Sequence, residues 1–197
     1  MKNKLVCLLG MSASGKDSLY RVLVKEYEFK GVVSTTTRPM RTNEKDGIDY
    51  YFVGETAFSN LIKENKLVEY RYYNTIENGQ PATWHYGITK DEIDLEKDNH
   101  VVVCDLKGLQ DLTKYFGEEN IISVYIHASE KSRRLRAIIR DTNFEEAEWQ
   151  RRLKDDEEKF KGVFDIVDFD VINDDLTTCV NDLMGLLRYM LTRDKYN

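Results

Sequence analysis

Leu5-Val6-Cys7-Leu8-Leu9-Gly10-Met11-Ser12-Ala13-Ser14-Gly15-Lys16 is the stretch on which the fold turns. Leu5 to Leu9 is a short continuous apolar run, which reads as a buried strand, and Gly10 ends it. Glycine, four residues, glycine and lysine then follow, and a helix is expected from about Gly15 to Tyr27, with Leu19, Val22, Leu23 and Tyr27 at helical spacing. Strand, glycine-rich turn and helix in that order make a phosphate-binding loop. Glycines let backbone N–H groups wrap around phosphate oxygens, the helix N-terminus adds partial positive charge, and Lys16 reaches the outer phosphates. The expected triphosphate contacts are Gly10, Met11, Ser12, Ala13, Ser14, Gly15, Lys16, Asp17 and Ser18. The usual residue after the lysine is Ser or Thr, whose hydroxyl ligates Mg²⁺. Here it is Asp17, followed by Ser18. A carboxylate is a competent ligand for a hard cation, so Asp17 is the expected Mg²⁺ ligand, directly or through water.

Outward from this loop, Val101 to Cys104 and Ile122 to Ile126 are further apolar runs, and Asp168 to Ile172 reads as a last strand. Helical stretches are expected at 56–65, 129–141, 144–161 and 175–192. Val68 to Tyr73 reads as a strand, and Asn74 to Thr83 as a polar loop, because it contains Gly79 and Pro81. Short apolar strands separated by helices predict an α/β fold: a three-layer parallel sheet flanked by helices, with a mixed α/β lobe inserted after the second strand. The expected layout is a single domain over 1–197, with a core at 1–33, 88–128 and 162–197. The inserted lobe occupies 34–87 and a helical lid 129–161.

The 197 residues are 41% hydrophobic and 32% charged, with a formal net charge of −6, the profile of one globular domain. An acidic balance argues against nucleic acid as a partner, though not against a small phosphorylated ligand in a local basic pocket. The N-terminal apolar run is only five residues long, shorter than the ~7–15 of a secretory segment. No stretch approaches the ~20 apolar residues of a membrane helix, so a cytoplasmic location is expected. Cys7, Cys104 and Cys179 are widely spaced and sit in apolar segments, which suits buried thiols rather than a zinc site or a disulfide framework.

From Ser34 the chain reads Thr36-Thr37-Arg38, then Arg41, Gly47 and Tyr50-Tyr51-Phe52-Val53. With Glu69, Tyr86-Gly87, Asp105-Leu106-Lys107-Gly108 and Asn173-Asp174-Asp175, this pattern resembles the guanylate kinase family over nearly the whole chain. The resemblance implies a P-loop nucleoside monophosphate kinase, with ATP and Mg²⁺ on one side and GMP on the other. It assigns Arg38, Arg41, Tyr50 and Tyr86 to the acceptor phosphate, a role for which guanidinium forks are well shaped. It assigns Glu69 to the ring N–H and exocyclic amino group of guanine, Ser34 to the carbonyl side, and Asp105 to the acceptor nucleotide or to Mg²⁺-bound water. Asn173 matches the position that frames adenine.

The same resemblance makes Arg136, Arg140 and Arg152 the lid arginines that neutralise charge on the transferred group, with Arg134 as the alternative for the first. Arg136 and Arg140, four apart, share one helical face. The chain departs from the family where a small hydroxyl residue that helps bind guanine usually follows Tyr-Gly, because Ile88 stands there, with Thr89 next. Val103 stands where the family often has an earlier acidic residue. Two alternatives remain open at this point: a kinase for another phosphorylated acceptor, such as a different nucleoside monophosphate or ribose 1,5-bisphosphate, and a non-catalytic protein-binding module. Oligomeric state is not legible in the sequence.

Overall fold

Strand β1 (Leu5–Leu9) is buried along its whole length because it packs on both faces. Leu5, Cys7 and Leu9 enter one apolar cluster with Val102, Leu109, Leu112, Ile121 and Tyr125. Val6 and Leu8 enter another with Leu19, Leu23, Ile122, Val124 and Leu183. Alternate side chains of one strand thus feed two cores, as expected for the middle of a three-layer α/β fold. The computed structural model describes residues 3–41, 44–77, 80–140 and 144–193.

Along the chain, β1 leads through residues 10–15 into α1 (Lys16–Glu26) and then β2 (Lys30–Gly31). The short β3 (Thr35–Thr36) and β4 (Tyr51–Phe52), α2 (Glu55–Lys63), and the long β5 (Leu67–Glu77) and β6 (Gln80–Thr89) follow. The chain then runs through β7 (His100–Val103), α3 (Leu106–Phe116), β8 (Ile121–His127), α4 (Glu130–Arg140) and α5 (Glu146–Lys159) to β9 (Phe169–Ile172) and α6 (Leu176–Arg193). The core sheet has the order β2-β7-β1-β8-β9, and its neighbouring strands pair in parallel. Strand order reverses on either side of β1, which sets the loop after β1 at the ligand-binding edge of the sheet. A second sheet, β4-β3-β6-β5, is mixed, with β3 parallel to β4 and antiparallel to β6.

Two elements differ from the sequence expectation. The stretch 74–83, expected to be a loop, continues the β5–β6 hairpin: Asn74 pairs with Thr83, Thr75 with Ala82, Ile76 with Pro81 and Glu77 with Gln80. Pairing across the hairpin satisfies the backbone without any apolar pattern. Pro81 is tolerated because β3 reaches only Tyr86 and Gly87 of β6, leaving this end an edge where a missing N–H does no harm. Residues 78 and 79, also part of that expected loop, lie outside the described residues. Helix α3 was not anticipated as a helix. It is capped by Asp105, whose side chain accepts from the Gly108 N–H at 2.9 Å, and it turns Leu109 and Leu112 into the core.

Candidate active site

Two polar regions converge where β1, β7, β9, α4, α5 and the β5–β6 hairpin end or meet. The first is the loop between β1 and α1. Ser14 N–H donates to Met11 O at 3.2 Å, and Ala13 holds a left-handed φ of 59°. Such backbone strain persists where surrounding contacts enforce it. Gly15 has φ 95°, and a Cβ there would collide with the Asn173 amide, so glycine is required. Asn173 directly follows β9, is buried, and donates from Nδ2 to Ser14 O at 2.8 Å. Lys16 Nζ donates to the carbonyls of Gly10 (2.6 Å) and Met11 (2.9 Å). Burial lowers the Lys16 pKa below its ordinary value, against the opposing pull of Asp17 and Asp156. Asp17 and Ser18 are exposed in the first turn of α1.

Helices α4 and α5 touch this loop through residues that were not all expected. Arg136 donates to Ser14 O (3.3 Å) and Asn173 O (2.6 Å), while Arg134 lies apart on Glu146 at 2.5 Å. Arg140 is exposed at the end of α4, and its charge opposes that of Lys16. Arg152 on α5 donates to Glu148 at 2.8 Å. Arg151 and Arg152 together hold the Glu148 carboxyl down to about 2, the hydrogen bond from Arg151 contributing most. Sequence reasoning missed Asp156 and Arg133, both buried. Asp156 Oδ2 accepts from Ser12 N–H at 2.6 Å and lies 3.8 Å from Arg133 Nη1, and Arg133 stacks over Trp149 at 5.8 Å. No local signal marks either residue, because each lies in a charged helix and Asp156 is 144 positions from Ser12.

The second region is the inner face of the β4-β3-β6-β5 sheet. Arg38 is buried, with its guanidinium over Tyr50 (5.3 Å) and Phe52 (5.6 Å), and it pairs with Glu44 at 2.7 and 3.0 Å. Burial works against the Arg38 charge, but Glu44 outweighs it and the pKa is raised. Arg41 is exposed and gives Glu44 its backbone N–H at 2.9 Å. Glu44 was not singled out in the sequence. Tyr50 and Tyr86 meet edge to face at 5.9 Å. Burial raises the Tyr50 phenol, with Tyr86 and then Asp17 adding to the shift, so the two regions are within electrostatic reach. Ser34 is half-buried, and its carbonyl accepts from Tyr51 N–H at 2.9 Å.

Glu69, Arg71 and Tyr73 alternate along β5 and line a cleft of about 710 Å³ with Asp105, Lys107 and Asp111. The Glu69 carboxylate is buried, and its Oε1 makes no hydrogen bond. Burial raises its pKa although Arg71 opposes the shift. Tyr73 donates to Asp105 Oδ2 at 3.1 Å, and its phenol is pushed up to about 12, chiefly by burial. Arg71 Nη1 pairs with Asp105 Oδ1, and Nη2 lies 3.5 Å from Glu69 Oε1. Arg71 and Tyr73 were missed as site residues, although the period of two along a strand containing Glu69 places them on its face. Among the described residues there is no cluster of three or more metal-type ligands, and no helix is long and apolar enough to cross a membrane.

The guanylate kinase family model matches residues 2–190. The chain is 32% identical over 189 residues to a guanylate kinase of Chlorobaculum tepidum, spanning 91% of this chain and 89% of that protein. It is 29% identical over 195 residues to a guanylate kinase of Porphyromonas gingivalis, spanning 96% and 99% respectively. A solved guanylate kinase from Anaplasma phagocytophilum matches with a TM-score of 0.69 at 22% identity, over 95% of this chain and 85% of that one, a likeness of fold.

Proposed function

The chain belongs to the guanylate kinase family and transfers the γ-phosphoryl group of ATP to GMP; we propose that it does so with the residues assembled around these two regions, in the cytoplasm. One observation carries the guanine assignment: the buried Glu69 Oε1 that has no hydrogen bond. A buried acceptor without a hydrogen bond costs free energy until a donor arrives. Guanine supplies two adjacent donors, the ring N–H and the exocyclic amino group, where adenine has no such pair. Rejection of adenine therefore comes from leaving Glu69 without a hydrogen-bond donor.

In this reading residues 34–87 form the acceptor lobe and 129–161 the lid, closing on a core made of the remainder. Arg38, Arg41, Tyr50 and Tyr86 hold the GMP phosphate, and Ser34 contacts the base. Asp105, tied to Arg71, Tyr73 and the Gly108 N–H, orders the base pocket. The loop N–H groups and Lys16 take the ATP phosphates, and Asn173 and Arg136 brace the loop from behind. Arg140 and Arg152 close over the transferred group from the lid. No strong base is needed, because phosphoryl transfer is mostly positioning and electrostatics. Asp17, exposed directly after Lys16, offers the hard oxygen ligand that Mg²⁺ requires. Mg²⁺ held by Asp17 would supply positive charge that offsets the charge of the phosphates. An Asp17→Ala variant with unaltered Mg²⁺ dependence would remove Asp17 from this role.

The test is a coupled assay with ATP, Mg²⁺ and a panel of GMP, dGMP, AMP, CMP, UMP and ribose 1,5-bisphosphate. Strong preference for GMP and dGMP is expected. Comparable turnover of AMP would overturn the base assignment.

A further inference from the structure

We propose that Arg71 reads the carbonyl oxygen of guanine, in a chain where Ile88 stands in place of the hydroxyl residue that, by the resemblance, helps bind guanine. The inference rests on the reading of Glu69 given above and extends it. Ile88 stands at that hydroxyl position, is fully buried in the core, and has no polar atom on its side chain. In the β5–β6 register Glu69 lies opposite Ile88, and Arg71 opposite Tyr86. Arg71 is therefore the next residue on Glu69's own face of β5, two positions along from the residue opposite Ile88.

The surroundings hold the guanidinium in place. Asp105 Oδ1 takes Nη1 of Arg71 and the Gly108 N–H (2.9 Å), and Oδ2 takes the Tyr73 hydroxyl (3.1 Å). With three donors on it, Asp105 serves to fix Arg71 and has little acceptor capacity left for a base. Gly108 makes room, since a Cβ there would sit 2.8 Å from Arg71 Nη1. The Arg71 side chain is 15% exposed and opens onto the cleft shared with Glu69. Its Nη2 stands 3.5 Å from Glu69 Oε1, beyond an ordinary hydrogen bond, so an N–H remains to be directed at a ligand.

Glu69 Oε2, Glu69 Oε1 and Arg71 Nη2 thus present acceptor, acceptor and donor in sequence. The base-pairing edge of guanine presents amino donor, ring N–H donor and carbonyl acceptor. The two patterns are complementary at every position. Adenine offers a bare ring nitrogen to Oε1 and an amino donor to Nη2, so it meets acceptor with acceptor and donor with donor. Discrimination then has two sources, one attractive for guanine and one repulsive for adenine.

The probe is 6-thioguanosine monophosphate, which keeps both N–H donors but replaces the carbonyl oxygen with a weakly accepting sulfur. The wild-type enzyme should prefer GMP over the thio analogue by about 10- to 100-fold in kcat/KM, the range for a hydrogen bond from a charged donor. Arg71→Met should lower kcat/KM for GMP by a similar factor, barely change the thio analogue, and leave the KM for ATP unaltered. Arg71→Lys should recover part of the preference. Equal losses on both acceptors would make Arg71 structural only and overturn the proposal. So would a wild-type enzyme that does not distinguish oxygen from sulfur, a result that needs no variant to fold. Failure of the Glu69 reading has a separate signature: Glu69→Gln would leave the GMP-to-AMP ratio unchanged while the oxygen-to-sulfur preference persisted.

Discussion

Asp156→Ala removes the carboxylate that fastens α5 to the phosphate loop. Asp156 accepts from the Ser12 N–H at 2.6 Å, a charge-assisted bond that contributes about 1.5–3 kcal/mol. Truncation also strips a counter-charge from Arg133, whose side chain is 8% exposed, and leaving one partner of a buried pair costs about 3–5 kcal/mol when the pair is tight. This pair is not tight: the nearest N···O distance is 3.8 Å, and Arg133 keeps its stacking on Trp149 and a contact with Ser12 O at 3.5 Å. The lower figures therefore decide, and the expected loss is about 2–3 kcal/mol. For a chain of this size that is a fall in Tm of about 4–12 °C. Asp156→Asn keeps an oxygen acceptor for Ser12 and should lose roughly half as much. Asp155→Ala, which breaks only the exposed pair with Arg151, serves as the control and should stay within about 0.5 kcal/mol. Urea unfolding of the nucleotide-free protein, followed by circular dichroism, reads all three. If Asp156→Ala behaves like Asp155→Ala, the carboxylate does not anchor the loop and the reasoning fails.

Lys16→Ala should lower kcat by about 10²–10³-fold while leaving GMP affinity nearly unchanged, measured by steady-state kinetics beside direct GMP titration. Equal loss of both would make Lys16 structural. Arg38→Ala should raise the KM for GMP by about 10- to 100-fold with little change in the KM for ATP, since two charge-assisted donors to phosphate disappear. Glu69 gives a pH signature. Burial raises its pKa above the ordinary 4.5, so its contribution to folding is complete at low pH and lost as pH rises through that raised value. GMP binding runs the other way, because only the ionised carboxylate accepts two N–H donors. GMP affinity should strengthen as pH climbs through the raised pKa, and Glu69→Gln should flatten that limb in a calorimetric series.

The parts of the fold and site that were legible in the sequence are those whose signal is local. Gly10 to Lys16 announces a phosphate loop because the spacing, the strand before it and the helix after it are one contiguous segment. The β1 and β8 runs are readable because strands buried on both faces are continuously apolar. The 74–83 stretch was not, since Asn74 to Glu77 pair with Gln80 to Thr83 without an apolar alternation to announce it, and Gly79 and Pro81 punctuate like a loop. Helix α3 has Leu109 and Leu112 at helical spacing, but Gly108 sits in its first turn and the Asp105 motif draws the eye to chemistry. The place of Arg71 is legible from the β5 strand pattern, because residues two apart share a face. Asp156 and Arg133 were not, because α4 and α5 are so densely charged that pattern alone does not distinguish an inward residue from a solvated one. Only the fold shows that one turn of α5 lies against Ser12.

Whether Glu69 reads guanine is decided by the selectivity of the Glu69→Gln variant. The variant replaces one of two acceptor oxygens with an N–H donor facing a guanine N–H. The ratio of kcat/KM for GMP to that for AMP should fall by about 100-fold or more, through loss of GMP and relief of the clash with adenine. A ratio unchanged from that of the wild-type enzyme would remove Glu69 from base recognition.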